Sequence, residues 1–199
     1  MRGALLIGFA VAVATPLGAT PHRAASVAED VAEISTNACF RVASGRFAIP
    51  HPASDEYSAA VRQLGLEPGI QRAALGMMGP AIALISRSAM AYRANGSSYI
   101  VFAVNGALPG CRVILLGQPP ANAMDAIAAA LTASAVGWAA IPQMTETRGP
   151  ATKRVFLRRD PAGRAYLLNL VALNDVPGNV RLYTTIVAVP AGVALPEGF

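Results

Sequence analysis

Apolar residues recur along this chain with two spacings, one typical of helices and one typical of buried strands. Over residues 27–42 they fall every three or four positions, as in a helix with one buried face, and Gly45 then ends the run. Ser26 and Glu29 match a capping box and predict that this helix begins at Ser26. Two further helices are predicted, one capped by Ser54 and ended by Gly65, the other over Asn122–Val136 with Trp138 beyond it toward the core.

Six segments have the apolar, β-branched composition of strands. The Asn95-Gly96 pair between the first two predicts a two-residue hairpin turn, and residues 160–163 predict another tight turn. Consecutive apolar residues, as in Ile100–Val104, predict strands covered on both faces. The six strands are predicted at Ala83–Arg93, Ser98–Val104, Leu108–Gly117, Lys153–Arg159, Arg164–Leu173 and Val180–Val189. We therefore predict an α+β fold in which helices pack on an antiparallel sheet of about six strands.

The order of these elements repeats along the chain. A helix, a hairpin, a Pro-Gly turn and a third strand occur within residues 54–118, and the same series occurs within residues 120–190. We interpret the two stretches as half-units of an αβββ–αβββ duplication. The alternative is a chance similarity between two β-meanders, since few residues are identical.

The composition indicates one folded domain, and the N-terminus indicates export. Of the 199 residues, 54% are hydrophobic and 14% are charged, so the chain can bury a sizeable core and disorder is not expected. Residues 1–19 combine Arg2, the apolar stretch Ala4–Ala14 and small residues after Pro16, which predicts a signal peptide. We expect a single α+β domain over residues 20–199, periplasmic or secreted in a bacterium, with no membrane span after cleavage. An uncleaved anchor is the alternative.

The chain contains two cysteines, Cys39 and Cys111. In an oxidising compartment an even number of cysteines favours a disulfide, so we predict a Cys39–Cys111 bridge. The alternative is a pair of independent buried thiols. Because the chain has only two histidines, one of them His51, zinc ligands are too few, and we expect neither a metal nor another cofactor.

An N-terminal helix bearing a cysteine, a Gly-Pro linker and a hairpin containing a tyrosine precede Gly110-Cys111-Arg112-Val113, which itself comes before a helix. In these features the chain resembles a family of small exported proteobacterial proteins of unknown function. The resemblance covers about residues 30–140. It implies a location in the bacterial envelope and supplies no catalytic residues.

His51, held between Pro50 and Pro52, is the one candidate catalytic residue. No Gly-x-Ser-x-Gly sequence marks a nucleophile, and most acidic residues are explained by helix starts and turns. A periplasmic hydrolase that pairs His51 with an unidentified Ser or carboxylate is therefore an alternative function. The competing interpretation of His51 is an exposed loop residue.

The densest charge lies on the fourth predicted strand. Its Arg154, Phe156 and Arg158 share one face, because side chains alternate along a strand, and Arg159 lies on the other. Arg181 lies on the strand expected to follow as a neighbour. Guanidinium groups bind phosphates and carboxylates with paired hydrogen bonds, so we predict an anion-binding set of Arg154, Arg158, Arg159 and Arg181. The alternative is that these charges protect a sheet edge.

Together these observations favour an exported, non-enzymatic binding or protein-interaction module. Its expected partner is an anionic envelope component or an acidic protein. Nucleic acid is not expected, because the basic strand lacks aromatic stacking platforms and the protein is exported. The alternatives are the hydrolase using His51 and a structural homodimer joined through an uncovered face of the sheet.

Overall fold

The computed structural model describes residues 21–51, 53–68, 89–94, 96–104, 109–133, 137–174 and 180–196. The described helices are α1 (Pro21–Glu33), a π-helical turn (Ile34–Cys39), α2 (Phe40–Ala43), α3 (Tyr57–Gln63), α4 (Ala123–Thr132) and a 3-10 turn (Pro142–Met144). The described strands are β1 (Glu67–Pro68), β2 (Ala89–Ala94), β3 (Ser97–Val104), β4 (Gly110–Leu116), β5 (Ala139–Ala140), β6 (Glu146–Arg148), β7 (Ala151–Arg159), β8 (Ala165–Leu173) and β9 (Val180–Ala188).

All nine described strands belong to one antiparallel sheet. Its order is β1-β2-β3-β4-β9-β8-β7-β5, and β6 also pairs with β7. Helices pack on this sheet, so the predicted α+β class is confirmed. The six predicted strands correspond to β2, β3, β4, β7, β8 and β9. The other three contain only two or three residues each, too few to show an alternating pattern in a sequence.

Two three-stranded meanders, β2-β3-β4 and β7-β8-β9, lie side by side and join where β4 pairs with β9. Two half-units over residues 54–118 and 120–190 would give this strand order. The helices before the two meanders pack differently, however, because α4 lies against α1 whereas α3 lies beside β1. The duplication therefore stays a prediction.

Two predicted helix starts are wrong, because the polar residues taken as caps lie elsewhere. The described part of α1 starts at Pro21, so Ser26 lies inside the helix. α3 begins at Tyr57, and the carbonyl of Ser54 accepts the Tyr57 N–H in the preceding turn.

The predicted helix ends are partly confirmed. Gly45 and Gly65 follow α2 and α3 with positive φ angles of 69° and 73°, which glycine adopts without steric cost. α4 is shorter than the predicted Asn122–Val136. It ends at Thr132, and Ala133 is already extended with ψ of 135°.

α1 and α4 lie against each other and, with α2, cover one face of the sheet. Trp138, just beyond α4, lies in the core beneath them, as predicted. A smaller cluster of Ile141, Val155 and Leu157 is buried on the opposite face. Residues 99–103 of β3 are all buried although their side chains point to alternate faces, so this part of β3 is covered on both sides, as its apolar run predicts.

Cys39 and Cys111 form the predicted disulfide, with their Cα atoms 5.1 Å apart. The bridge joins the end of the π-helical turn to β4, across a sequence separation of 72 residues. A disulfide is consistent with an oxidising, extracellular compartment.

Two buried hydrogen bonds hold the same helix to the sheet. The Tyr99 hydroxyl donates to Asp30 Oδ2 at 2.9 Å, and the hydroxyls of Ser35 and Thr184 lie 3.1 Å apart. Asp30 lies in α1, and Ser35 lies in the π-helical turn that follows it, where the Phe40 N–H donates to the Ser35 carbonyl. We call three links the helix anchors: Asp30–Tyr99, Ser35–Thr184 and Cys39–Cys111.

The predicted signal peptide, residues 1–19, lies outside the described residues. Residues 83–88 of the first predicted strand also lie outside them. None of the described helices is long and apolar enough to cross a membrane.

Candidate anion-binding site

Phe40 is the centre of an aromatic cluster at the end of the first helical segment. It is the first residue of α2 and is 4% exposed. Its ring meets the rings of Trp138 and Tyr166 edge-on, with centroids 5.9 Å and 5.0 Å away. Such edge-to-face pairs stabilise a cluster beyond the area they bury. Three segments that are distant in the sequence therefore meet at one ring.

Two arginines lie on the same ring. The guanidinium carbon of Arg158, on β7, is 4.2 Å from the Phe40 centroid, and that of Arg46, just after Gly45, is 5.9 Å from it. Both distances are typical of cation–π contacts. Burial, and after it the positive charge of Arg46, lowers the pKa of Arg158. Both cations therefore lie against one aromatic ring, close enough for the charge of Arg46 to act on Arg158.

Two buried donors in this cluster have no hydrogen-bond acceptor within the described part of the chain. They are Nη1 of Arg158 and Nε1 of Trp138, a residue that is only 2% exposed. Leaving a buried donor unpaired costs about 1–3 kcal/mol. Because proteins pair nearly all such groups, two at one ring indicate a site that can donate hydrogen bonds to an acceptor from outside the chain.

Asp160 is the carboxylate closest in sequence to Arg158, and both of its oxygens already accept two hydrogen bonds. Oδ1 accepts the backbone N–H groups of Ala162 and Arg164, at 2.9 Å and 3.0 Å. Oδ2 accepts from Arg164 Nε at 2.8 Å and from the Tyr166 hydroxyl at 3.2 Å. Burial by itself raises the pKa of Asp160, but the hydrogen bonds and charge of Arg164, aided by Tyr166, lower it overall. Asp160 thus holds the predicted turn together and neutralises Arg164.

A cleft of about 700 Å³ opens beside this turn. Its walls come from the end of α2, the β7–β8 turn, the end of β9 and residues 189–195, and they expose polar and apolar atoms in nearly equal amounts. Arg159 and Arg164 are the charged residues among its described lining. Arg164 Nη2 also donates to the Ser44 carbonyl at 3.4 Å and so ties the turn to the helix end. We call these two lining residues, Arg159 and Arg164, the arginine end.

The structure does not bring the four predicted binding arginines to one surface. Arg154 and Arg158 share the helix-covered face of β7, where Arg154 forms an ion pair with Asp125 of α4. Arg159 is exposed beside the cleft and donates Nη1 to the Gly163 carbonyl at 3.3 Å. The side chains of Arg158 and Arg159 therefore lie on opposite faces of β7, as alternation along a strand predicts.

Arg181 lies apart from the other three. β8 separates β7 from β9, so β9 is not the neighbour of β7 that the sequence suggested. The register also places Arg181 near the end of the sheet opposite Arg159. The amide of Gln118, oriented with its oxygen toward Arg181, accepts from Nε at 3.1 Å and from Nη2 at 3.3 Å. This contact occupies two of the hydrogen-bond donors of Arg181.

His51 is exposed, and its Nδ1 accepts the backbone N–H of Ala53 at 3.2 Å. Its carbonyl accepts the N–H of Ser54, which completes a tight turn. Within the described ranges, no Ser, Asp or Glu side chain forms a hydrogen bond with the imidazole. The geometry around His51 is that of a loop residue.

The described residues contain no group of three or more His, Cys, Asp or Glu side chains that could hold a metal ion. Comparison with known proteins adds nothing to this geometry: no family model, no curated protein and no solved structure matches the chain. The resemblance to small exported proteobacterial proteins therefore stays a prediction.

Sequence reasoning missed three contributions to this site. Arg46 has no pattern around it except its place directly after the helix-ending Gly45. Phe40 and Trp138 belong to apolar runs and are expected in the core, where they do lie. Their role in holding arginines depends on contacts between residues about 100 positions apart, which no local spacing records.

Proposed function

We propose that this protein is an exported binding module that holds an anionic component of the bacterial envelope at its arginine end, without catalysis. The observation that carries the proposal is the cleft. Arg159 stands at its rim, no acidic residue belongs to its described lining, and the nearby Asp160 has no acceptor capacity to spare. An anion that enters therefore meets two guanidinium groups and no carboxylate among the described lining residues.

The cleft favours a lipid head group over an acidic protein. Its volume suits a small group, the polar half of its walls suits a phosphate, and the apolar half suits the hydrocarbon beside it. Val193, at 54% exposure, adds an exposed apolar side chain next to the rim. The formal charge of +5 supplies a general attraction to anionic surfaces. We therefore propose an anionic phospholipid surface as the partner.

Export to the periplasm or the medium is part of the proposal. The Cys39–Cys111 disulfide and the predicted signal peptide over residues 1–19 support it. An intact-mass measurement on the exported protein tests it. The expected mass lacks residues 1–19, and a mass that retains them contradicts the predicted cleavage.

Binding is tested by co-sedimentation with vesicles. We expect the protein to sediment with vesicles containing phosphatidylglycerol and to remain in solution with phosphatidylcholine alone. Arg159→Glu should weaken the binding by about 10-fold or more, since each basic residue near such a surface contributes about 1 kcal/mol. The matched control is Arg148→Glu, which makes the same charge change at an exposed site on β6.

Two outcomes would contradict the proposal. Equal losses in Arg159→Glu and Arg148→Glu would mean that only net charge matters and that the cleft is not the site. Absence of sedimentation, together with saturable binding to a soluble acidic protein, would assign the arginine end to a protein partner. Among the described contacts of the His51 ring there is none that favours the hydrolase alternative.

A further inference from the structure

We propose that the Phe40 cluster is a binding site for a single oxyanion, a phosphate or carboxylate group, held by Arg158, Arg46 and the indole N–H of Trp138. This site goes beyond the proposed function, because none of these three residues belongs to the described lining of the cleft. It assigns a ligand class to a place where the fold leaves donors without acceptors.

The first step of the argument is the surplus of donors. Nη1 of Arg158 and Nε1 of Trp138 are both buried and lack acceptors in the described residues, and both side chains contact the ring of Phe40. A β-carbon built on Gly137, the neighbour of Trp138, would lie 3.9 Å from Arg158 Nε. The indole and the guanidinium therefore belong to one small region.

The second step is the charge. Arg46 and Arg158 lie on the same ring, and no described carboxylate forms an ion pair with either. Two cations this close repel each other, and the repulsion is strongest where water is excluded. A bound anion converts the repulsion into two attractions and accepts the unpaired hydrogen bonds. Charge-assisted hydrogen bonds to oxyanions are the strong ones, and a planar guanidinium offers them in pairs.

The third step is access. Arg46 is exposed and Arg158 is half-buried, whereas Trp138 is fully buried. These groups thus extend from the surface into the core, and the proposal places the entry of the anion beside Arg46, with the indole N–H at the inner end. If these arginines served only to form structural ion pairs, an acidic side chain of the protein would lie beside them, and the described ion pairs include none.

Trp138 is the only tryptophan of the chain, so its fluorescence reports on the site directly. The experiment titrates the purified protein with inorganic phosphate and, separately, with acetate, at an ionic strength held constant with chloride. We expect a saturable change in the emission of Trp138 with at least one oxyanion and none with chloride. A response to phosphate identifies a phosphate-bearing ligand, and a response to acetate alone identifies a carboxylate-bearing one.

Variants locate the response. Arg158→Gln should weaken the affinity by about 10-fold or more and Arg46→Gln by a smaller factor, since each removes one positive charge from the site. The control is Arg62→Gln, the same substitution at an exposed position on α3, which should leave the affinity unchanged. Arg46 lies on the surface, so its variant keeps the test decisive if Arg158→Gln folds poorly.

The proposal is overturned if neither oxyanion gives a saturable response, or if Arg46→Gln and a folded Arg158→Gln bind as tightly as the wild type. The test is separate from that of the cleft. Arg159→Glu should retain a saturable fluorescence response to the oxyanion, and Arg158→Gln should still sediment with phosphatidylglycerol vesicles. Each proposal can therefore fail while the other stands.

Discussion

The helix anchors and the Phe40 cluster both bury polar groups between the first helical segment and the sheet, but they do so in opposite ways. In the anchors the Tyr99 hydroxyl meets the Asp30 carboxylate, and the hydroxyls of Ser35 and Thr184 meet each other. In the Phe40 cluster, donors outnumber acceptors, and two of them lack partners among the described residues.

This difference separates stability from binding. A buried polar group that is paired contributes to stability, and its removal leaves its partner short of a hydrogen bond. A buried donor without an acceptor costs stability in the free protein and gains energy only when a ligand arrives. Substitutions in the anchors should therefore lower stability and leave binding unchanged. Substitutions of the unpaired donors around Phe40 should weaken binding and change stability little.

The largest expected effect is loss of the disulfide. Cys39→Ala combined with Cys111→Ala should lower the free energy of unfolding by about 4 kcal/mol, because the unfolded chain regains the freedom that a 72-residue separation removes. Urea denaturation followed by circular dichroism measures the change. The wild type under reducing conditions should behave similarly, and a double variant as stable as the oxidised wild type would contradict the structural role of the bridge.

The next effect is at the anchor closest to the helix start. Tyr99→Phe should cost about 1–3 kcal/mol, since it removes one donor from an Asp30 carboxylate that is only 3% exposed. The same urea experiment measures it. Tyr92→Phe is the matched control, because Tyr92 is half-buried and packs on Tyr99. Equal losses in both variants would show that the hydroxyl–carboxylate bond is not the cause.

Asp160 predicts how stability depends on pH. Its pKa is lowered in the folded protein, so the unfolded chain binds a proton more readily. The stabilisation is therefore complete above the unfolded pKa, about 3.9, and is lost as the pH falls through the lower folded value. Asp160→Asn should be less stable than the wild type at neutral pH, and the difference should narrow in acid.

Urea denaturation at neutral and acidic pH measures this narrowing. Asp55→Asn, at an exposed position before α3, is the control, and its difference from the wild type should stay small at both pH values. A gap between Asp160→Asn and the wild type that stays constant with pH would contradict the role assigned to the charge.

The smallest effect on stability is expected at Arg158. Arg158→Met should change the free energy of unfolding by less than about 1 kcal/mol. The lost cation–π contact with Phe40 is offset by removal of an unpaired donor and of the repulsion from Arg46. The same variant should abolish the response of Trp138 to oxyanions. A large loss of stability would show that Arg158 stabilises the fold as the anchors do, and would contradict the distinction between the two regions.

Much of the fold follows from local patterns. Apolar spacing predicted the first helix, because one buried face requires a residue every three or four positions. The Asn95-Gly96 pair predicted a tight hairpin, and the register of β2 on β3 leaves only two residues between the strands. The pairing of Cys39 with Cys111 followed from there being no other cysteine. Each of these inferences depends on neighbours or on counting.

The arrangement of the arginines did not follow, for a physical reason. Alternation along β7 correctly separated Arg158 from Arg159, but it carries no information on which helix covers each face. Only the packed structure puts Arg154 against Asp125 and Arg158 against Phe40. It also inserts β8 between β7 and β9 and so removes Arg181 from the group.

The sequence by itself therefore determined the class of fold, the six main strands and the cysteines that join helix to sheet, because spacing, turn chemistry and composition act over a few residues. The tertiary structure alone decided which charges meet partners. Phe40, Trp138 and Arg158 come from three distant segments, and their contact arises only when the helix docks on the sheet. Burial then removes water from their donors, and that loss of solvent turns an ordinary arginine and tryptophan into a candidate binding site.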